Sequence, residues 1–271
     1  MSMDSAVFER ICSLVYDEAG IRIREGKESM VASRLAKRVR ALGLKDETEY
    51  LEYLERELRT EAVALLDVIS TNVTSFFRES EHFRVLADLH RKAIKSGVKR
   101  LRYWCAASSS GEEPYTIAMT LREVERELGV SVDTRLLATD ISTRVLATAR
   151  EGVYPEDKIS GIPDLLLKRY FVRESGEGGV CYRASDEIAS RVAFSRLNLS
   201  QPPFPMRGPL QAVFCRNVMF YFDDPVRNGV IDECHRLLAP AGTLFVGKSE
   251  SLPGGRTDFA RAGSSVFRKV G

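Results

Sequence analysis

The apolar residues change their spacing near residue 97, and no single layer of structure accommodates both patterns. Upstream, every apolar stripe has helical spacing. Phe8, Ile11, Cys12 and Val15 make the first, with Gly20 as its stop. A second helix is expected from about Lys27 to Leu42, ended by Gly43, and a third after Asp46, where Tyr50, Leu51, Leu54 and Leu58 form one stripe. The segment from Ser80 to Lys95 carries His82, Phe83, Leu86 and Leu89 and closes at Gly97. Downstream, short apolar runs alternate with helical ones. Strands are expected at Leu101–Ala106, Thr134–Thr139, Ala212–Cys215, Thr243–Val246 and Ser265–Lys269. Helices fall between them at about Glu112–Leu128 and Ser142–Arg150, and after Asp224, read as the cap, with Pro225 in the first position. That alternation implies a parallel α/β sheet. From about Tyr170 to Leu197 it lapses into short strands around a glycine-rich turn, Ser175 to Gly179, which suggests an inserted antiparallel hairpin.

Composition narrows the function classes. Forty Lys and Arg against 38 Asp and Glu leave a formal net charge of +2, too small to draw the whole molecule to nucleic acid. No run of about 18 apolar residues is present, which argues against a membrane-spanning helix. The opening MSMDSAVFER does not read as a secretory signal. Cys12, Cys105, Cys181, Cys215 and Cys234 are scattered without a CxxC pair, so neither a disulfide framework nor a metal site is expected. The expected compartment is a reducing cytoplasm.

One motif is a decoy. Gly242-Thr-Leu-Phe-Val-Gly247-Lys248-Ser249 satisfies GxxxxGK[ST], a loop that must follow a strand and open a helix to cradle phosphates. Here Thr-Leu-Phe-Val is itself the strand, and Ser251-Leu-Pro-Gly-Gly cannot begin a helix. The loop after the first strand says more. Ala106, Ala107, Ser108 to Ser110 and Gly111 let a ligand approach the backbone at the carboxyl edge of a parallel sheet. The following helix opens with Glu112 and Glu113, which would repel a pyrophosphate but suit a cation. Glu113 equally fits a capping box with Ser110, and the residues leave it between the two roles. Asp140, ending the second strand, is placed either to accept from two ribose hydroxyls or to cap the next helix in competition with Ser142. An acid for ribose beside carboxylates and small residues fits a positively charged nucleoside, such as S-adenosylmethionine.

These residues carry a resemblance. Thr71-Asn-Val-Thr-Ser-Phe-Phe-Arg78-Glu, Trp104-Cys-Ala-Ala-Ser-Ser-Ser-Gly-Glu-Glu-Pro-Tyr, Ala138-Thr-Asp140-Ile, Asn198-Leu199, Phe214-Cys-Arg-Asn-Val-Met-Phe-Tyr-Phe222 and Gly247-Lys-Ser-Glu-Ser resemble, in order, the motifs of the CheR-type chemoreceptor methyltransferases. The resemblance implies a Rossmann-like S-adenosylmethionine-dependent methyltransferase domain with an inserted antiparallel β-subdomain, behind an all-helical N-terminal domain. The expected division is residues 1–78 for the helical, receptor-docking domain and 79–98 for a linker helix. Residues 99–271 would form the methyltransferase domain, with the insertion at about 170–197. It further implies cofactor contacts from Asn72, Thr74, Arg78, Glu113, Asp140, Asn198, Leu199, Arg216 and Asn217, with Arg78 and Tyr221 catalytic. Two positions depart from the family pattern: Lys248 replaces a usual histidine, and Gln211 stands where an aspartate often begins a strand.

Methyl transfer to a glutamate makes modest demands, because a carboxyl group of pKa about 4.3 is already ionised at neutral pH and needs no general base. The implied reaction is protein-glutamate O-methylation of the cytoplasmic helices of methyl-accepting chemoreceptors, leaving S-adenosylhomocysteine. A receptor tail peptide on the inserted subdomain is a further implied partner; a monomer is expected. The alternatives are a regulatory adaptor that keeps the cofactor without efficient catalysis, and methylation of a small carboxylic acid. Between Arg22 and Lys45 stand eight basic residues and two acidic ones, Glu25 and Glu28. Arg34, Lys37 and Arg38 share one helical face and are expected to dock on the receptor, the competing reading being a solvated face. No interleaved aromatic residues recommend nucleic acid there.

Overall fold

Asp4 accepts from the N–H groups of Ala6 and Val7 and opens α1 (Ser5–Ala19), which Gly20 ends in a left-handed conformation. In the computed structural model, which describes residues 3–176 and 179–270, three more helices follow: α2 (Glu28–Ala41), α3 (Glu47–Arg56) and α4 (Leu58–Ile69). Val31, Leu35 and Val39 repeat every four residues, so α2 buries one stripe against Ile11, Val15, Tyr50, Leu54 and Leu65. The single stripe expected from Tyr50 to Leu58 is in fact broken at Glu57, which ends α3 and begins α4. No glycine or proline marks that turn. A tertiary contact holds it: Glu61 of α4 takes Arg38 and the Tyr50 hydroxyl.

Helix α5 (Glu81–Lys95) leaves this core, packing Phe83 and Leu86 against Leu101, Tyr103 and Ile117. The chain then alternates through β1 (Arg100–Cys105), α6 (Glu112–Glu127), β2 (Asp133–Asp140), α7 (Thr143–Glu151), β3 (Val153–Pro155), α8 (Asp164–Tyr170), β4 (Phe171–Gly176) and β5 (Gly179–Ala184). After α9 (Asp186–Ala189) come β6 (Val192–Arg196), β7 (Leu210–Phe214), α10 (Asp224–Leu237), β8 (Leu238–Phe245), β9 (Phe259–Gly263) and β10 (Val266–Lys269).

Seven strands form one sheet in the order β6-β2-β1-β7-β8-β10-β9, parallel through β8, with β10 antiparallel to β8 and β9. Alternation sorts its two faces. Trp104, Val213 and Leu244 point to α10, whereas Tyr103, Cys105, Phe214 and Phe245 point to α5 and α6. Both faces are covered, which is why these strands read as nearly continuous apolar runs.

The inserted antiparallel subdomain is present but differently bounded. Its sheet is β3-β5-β4, so it recruits Val153–Pro155, and β6 pairs parallel with β2 in the main sheet instead of belonging to the insert. Of the expected glycine-rich turn, Glu177 and Gly178 lie outside the described residues. The cap of α10 is Asp223, whose carboxylate accepts from Val226 N–H, and not Asp224.

Candidate active site

The carboxyl ends of β1, β2 and β7 open on one cavity of about 470 Å³, within the range of about 300–1,000 Å³ typical of small-molecule sites. Its far wall belongs to the helical unit: Ala19, the connector from Ile21 to Lys27, and residues 69–74. The loop after β1 is fastened to the end of β2. Thr139 Oγ accepts from Trp104 Nε1 at 2.9 Å and donates to the Ala106 carbonyl at 3.0 Å, and Ser108 N–H bonds the Thr139 carbonyl at 2.8 Å. Small side chains at Ala106, Ala107 and Ser109 leave the floor open. Gly111 is obligatory: its φ is +100°, and a Cβ there would stand 2.6 Å from the Tyr154 hydroxyl.

Asp140 reaches this floor. It accepts Ser109 N–H at 2.8 Å on one oxygen and Ser142 N–H at 3.0 Å on the other, leaving lone pairs for a ligand. Burial raises its pKa against those N–H groups. It does not cap α7, because Ser142 holds that position. Glu113 forms no capping box either, since Gly111 is the N-cap and makes no side-chain bond. Instead Glu113 meets Arg216 and Cys105 Sγ, and burial raises its pKa although Arg216 opposes the shift.

Arg216 is the hub of a buried network. Its fully buried guanidinium pairs with Glu113, with Glu79 at 3.0 Å, and donates to the Arg78 carbonyl at 2.7 Å. Against the burial that opposes it, Arg216 holds the Glu79 carboxyl below its ordinary range. Expected on the cofactor, Arg216 thus gives both terminal nitrogens to the protein. The backbone it grips is strained, with Phe77 at φ 54° and Glu79 at φ 56°, each costing on the order of 1–3 kcal/mol. That grip fixes Arg78, whose own guanidinium donates to the Val73 carbonyl at 2.9 Å and makes no ion pair among the described residues.

All nine residues expected on the cofactor, and Tyr221, line this one cavity. Asn72 offers a direct sign of a missing partner: its Nδ2 is buried without a hydrogen bond, while its carbonyl accepts from Ser109 Oγ. An unpartnered donor, a floor of small residues and two acids fit a cationic nucleoside. Asn198 is committed otherwise, donating to the Glu18 carbonyl at 2.7 Å and accepting from Ser200, so its amide joins α1 to the sheet.

The expected docking face is largely engaged within its own unit. Arg34 donates to the Ile69 carbonyl and to Thr71, and Arg38 forms a two-pronged pair with Glu61, so both tie α2 to its own unit and leave Lys37 exposed. Arg34 lines the cavity, whereas Lys37 and Arg38 do not. The exposed cations at the mouth are Arg22, Arg24 and Lys27. Sequence reading also passed over Glu79 and Glu250, although both stand inside quoted motifs. The decoy stays one: Gly242 to Phe245 is strand, no helix follows, and Lys248 pairs with Glu81 at 2.7 Å.

Comparison with known proteins agrees with this geometry. Residues 72–267 match the family described as CheR methyltransferase, SAM binding domain, and residues 6–70 match CheR methyltransferase, all-alpha domain. A chemotaxis protein methyltransferase of Salmonella typhimurium is 39% identical over 98% of this chain and 91% of its own. Chemotaxis protein methyltransferase 2 of Pseudomonas aeruginosa is 40% identical over 90% and 86%. The corresponding protein of Borreliella burgdorferi is 38% identical over 91% and 88%.

Proposed function

The chain belongs to the CheR methyltransferase family, and on that premise we propose that it methylates glutamate side chains of chemoreceptors. S-adenosylmethionine, when bound, supplies a methyl group activated by its sulfonium. The protein's share is binding and orientation, which can supply roughly 7–11 kcal/mol of barrier reduction. Asp140 receives the ribose, while Asn72 and the Ala106–Gly111 loop accommodate the nucleoside. Glu113, buried beside Arg216, gives the cationic end an acidic wall.

The observation that carries the reading is Arg78. It is a cation without an acidic partner among the described residues, set in a cavity whose two carboxylates suit a cation. A planar guanidinium holds a substrate carboxylate in register, with Tyr221, which lines the same cavity, as a second aligning group. One bond to the Val73 carbonyl orients Arg78 without neutralising it. A regulatory adaptor would have no use for an arginine held on strained backbone, so catalysis is favoured.

The receptor helix approaches over Arg22, Arg24, Lys27 and Lys37, whose exposed charges suit a glutamate-bearing surface. A receptor tail peptide adds to β4, one of the two edge strands of the small sheet, where Val172 is 55% exposed. The protein acts in the cytoplasm as a monomer; no described helix is long and apolar enough to cross a membrane. The test is transfer of a labelled methyl group to receptor-containing membranes. Base-labile release of the label is expected for an ester; label that resists base overturns the glutamate assignment.

A further inference from the structure

Glu250 is not part of the cavity wall, yet two of the wall's side chains hang on it. We propose that Glu250 is a positioning residue for methyl transfer, acting through the turn that presents Asn217 and Tyr221. The proposal rests on the reading of the cavity given above.

The carboxylate of Glu250 accepts three backbone N–H groups. Oε2 takes those of Asn217 at 2.8 Å and Gly247 at 2.7 Å, and Oε1 takes that of Met219 at 2.8 Å. The residue is 9% exposed, and its own N–H returns to the Gly247 carbonyl at 2.9 Å. Asn217 lies just beyond β7 and Gly247 just beyond β8, so one side chain joins the ends of two neighbouring strands. Asn217 is held at φ 57°, a left-handed conformation that persists only where its surroundings impose it. Immediately after the clamped turn, a 3-10 turn over Met219–Tyr221 brings Tyr221 to the cavity.

The chemistry of the clamp explains the residue type. Three converging N–H groups make a site for an acceptor, and a carboxylate offers two oxygens and no donor. An amide would keep one oxygen and aim an NH2 group at a remaining N–H. Gly247 gives an independent handle. A Cβ there would stand 2.5 Å from Asn217 Nδ2 and 2.8 Å from Glu250 Oε2. A methyl group at Gly247 therefore presses on both ends of the clamp without touching the carboxylate's charge.

The experiment compares Glu250→Gln and Gly247→Ala, each alone and combined with Tyr221→Phe. Methyl transfer to receptor-containing membranes is measured at saturating cofactor, and thermal unfolding is followed on the same preparations. Each single variant is expected to lower kcat about tenfold or more, with receptor KM changed less than threefold. In the Tyr221→Phe background the further loss should shrink below threefold, because the hydroxyl that aligns the substrate is already gone and Asn217, expected on the cofactor, is masked at saturating cofactor. Should Glu250→Gln fail to fold, Gly247→Ala carries the same test. A lowered melting temperature with unchanged kcat per folded molecule makes the clamp purely structural and overturns the proposal, as do losses that multiply in the double variants. A native chain that transfers no methyl group overturns the underlying reading, and this proposal with it.

Discussion

Arg216→Met should cost the folded protein about 3–5 kcal/mol at pH 7.5, the usual penalty for removing one partner of a buried ion pair. The side chain is 0% exposed and serves two carboxylates, Glu79 and Glu113, that are 10% and 11% exposed. Methionine fills much of the space, so the loss is chiefly one of charge. For a chain of this size, about 2–4 °C per kcal/mol places the melting temperature roughly 6–20 °C lower. The sign of the pH dependence follows from the two acids. Burial already raises the Glu113 pKa, and losing Arg216 raises it further. A carboxyl raised in the folded state contributes stability below its unfolded pKa that is lost as pH rises through the folded one. Glu79 is lowered in the native chain, so its contribution is present at neutral pH and fades as pH falls through its depressed value. Glu113 therefore makes the deficit larger at pH 7.5 than at pH 5, by about 1.4 kcal/mol for each unit that it climbs, whereas the Glu79 contribution stands almost whole at both values. Urea unfolding of both proteins at the two pH values, without cofactor, measures it. An equal deficit at pH 5 and 7.5 would mean that Arg216 acts by packing on Phe83, and the ionic account fails.

Asp140→Ala should weaken cofactor binding by roughly 1.5–3 kcal/mol, read by calorimetry, since it removes hydrogen bonds to a charged acceptor. Arg78→Ala should leave cofactor affinity within a few fold while turnover falls about ten- to hundredfold; weak cofactor binding with normal turnover at saturation would reassign the residue. Arg38→Ala should lower stability by about 1–3 kcal/mol in thermal or urea unfolding, because Glu61, only 3% exposed, loses its two-pronged partner. If Arg38→Ala slows receptor methylation with stability unchanged, the docking role first read from the sequence is restored.

Local signals were legible where chemistry is local. Gly20 ends a helix and Asp46 opens one in the way their residue types dictate, and the apolar runs of β1, β7 and β8 announce strands covered on both sides. The cavity residues were legible too, because the ends of parallel strands must converge on one edge. What escaped was set by tertiary partners. The break at Glu57 depends on Glu61 meeting Arg38 across 23 residues, and β6 reads as hairpin until its pairing with β2 is seen. Arg34 and Arg38 look like a free basic face, since helical spacing gives direction but not what stands opposite. Glu250 was overlooked for the same reason: its three donors lie up to 33 residues away.

The cavity has one wall from each unit, and beside the apolar contacts of Ile21 and Ile141 polar bonds cross the seam between them. Asn198 bonds Glu18, Tyr16 bonds Asp223, Thr143 bonds Asp67, and Arg22 N–H bonds the Tyr221 carbonyl. A ligand lodged in such a cleft touches both sides at once, so its binding free energy also opposes their separation. Occupancy and interdomain cohesion are therefore linked quantities: filling the cleft a hundredfold above its dissociation constant adds about 2.7 kcal/mol to whatever the seam supplies. By reciprocity, any partner that bound the basic connector between α1 and α2 would change the affinity of the nucleoside site by the same free energy that the nucleoside confers on that partner's binding.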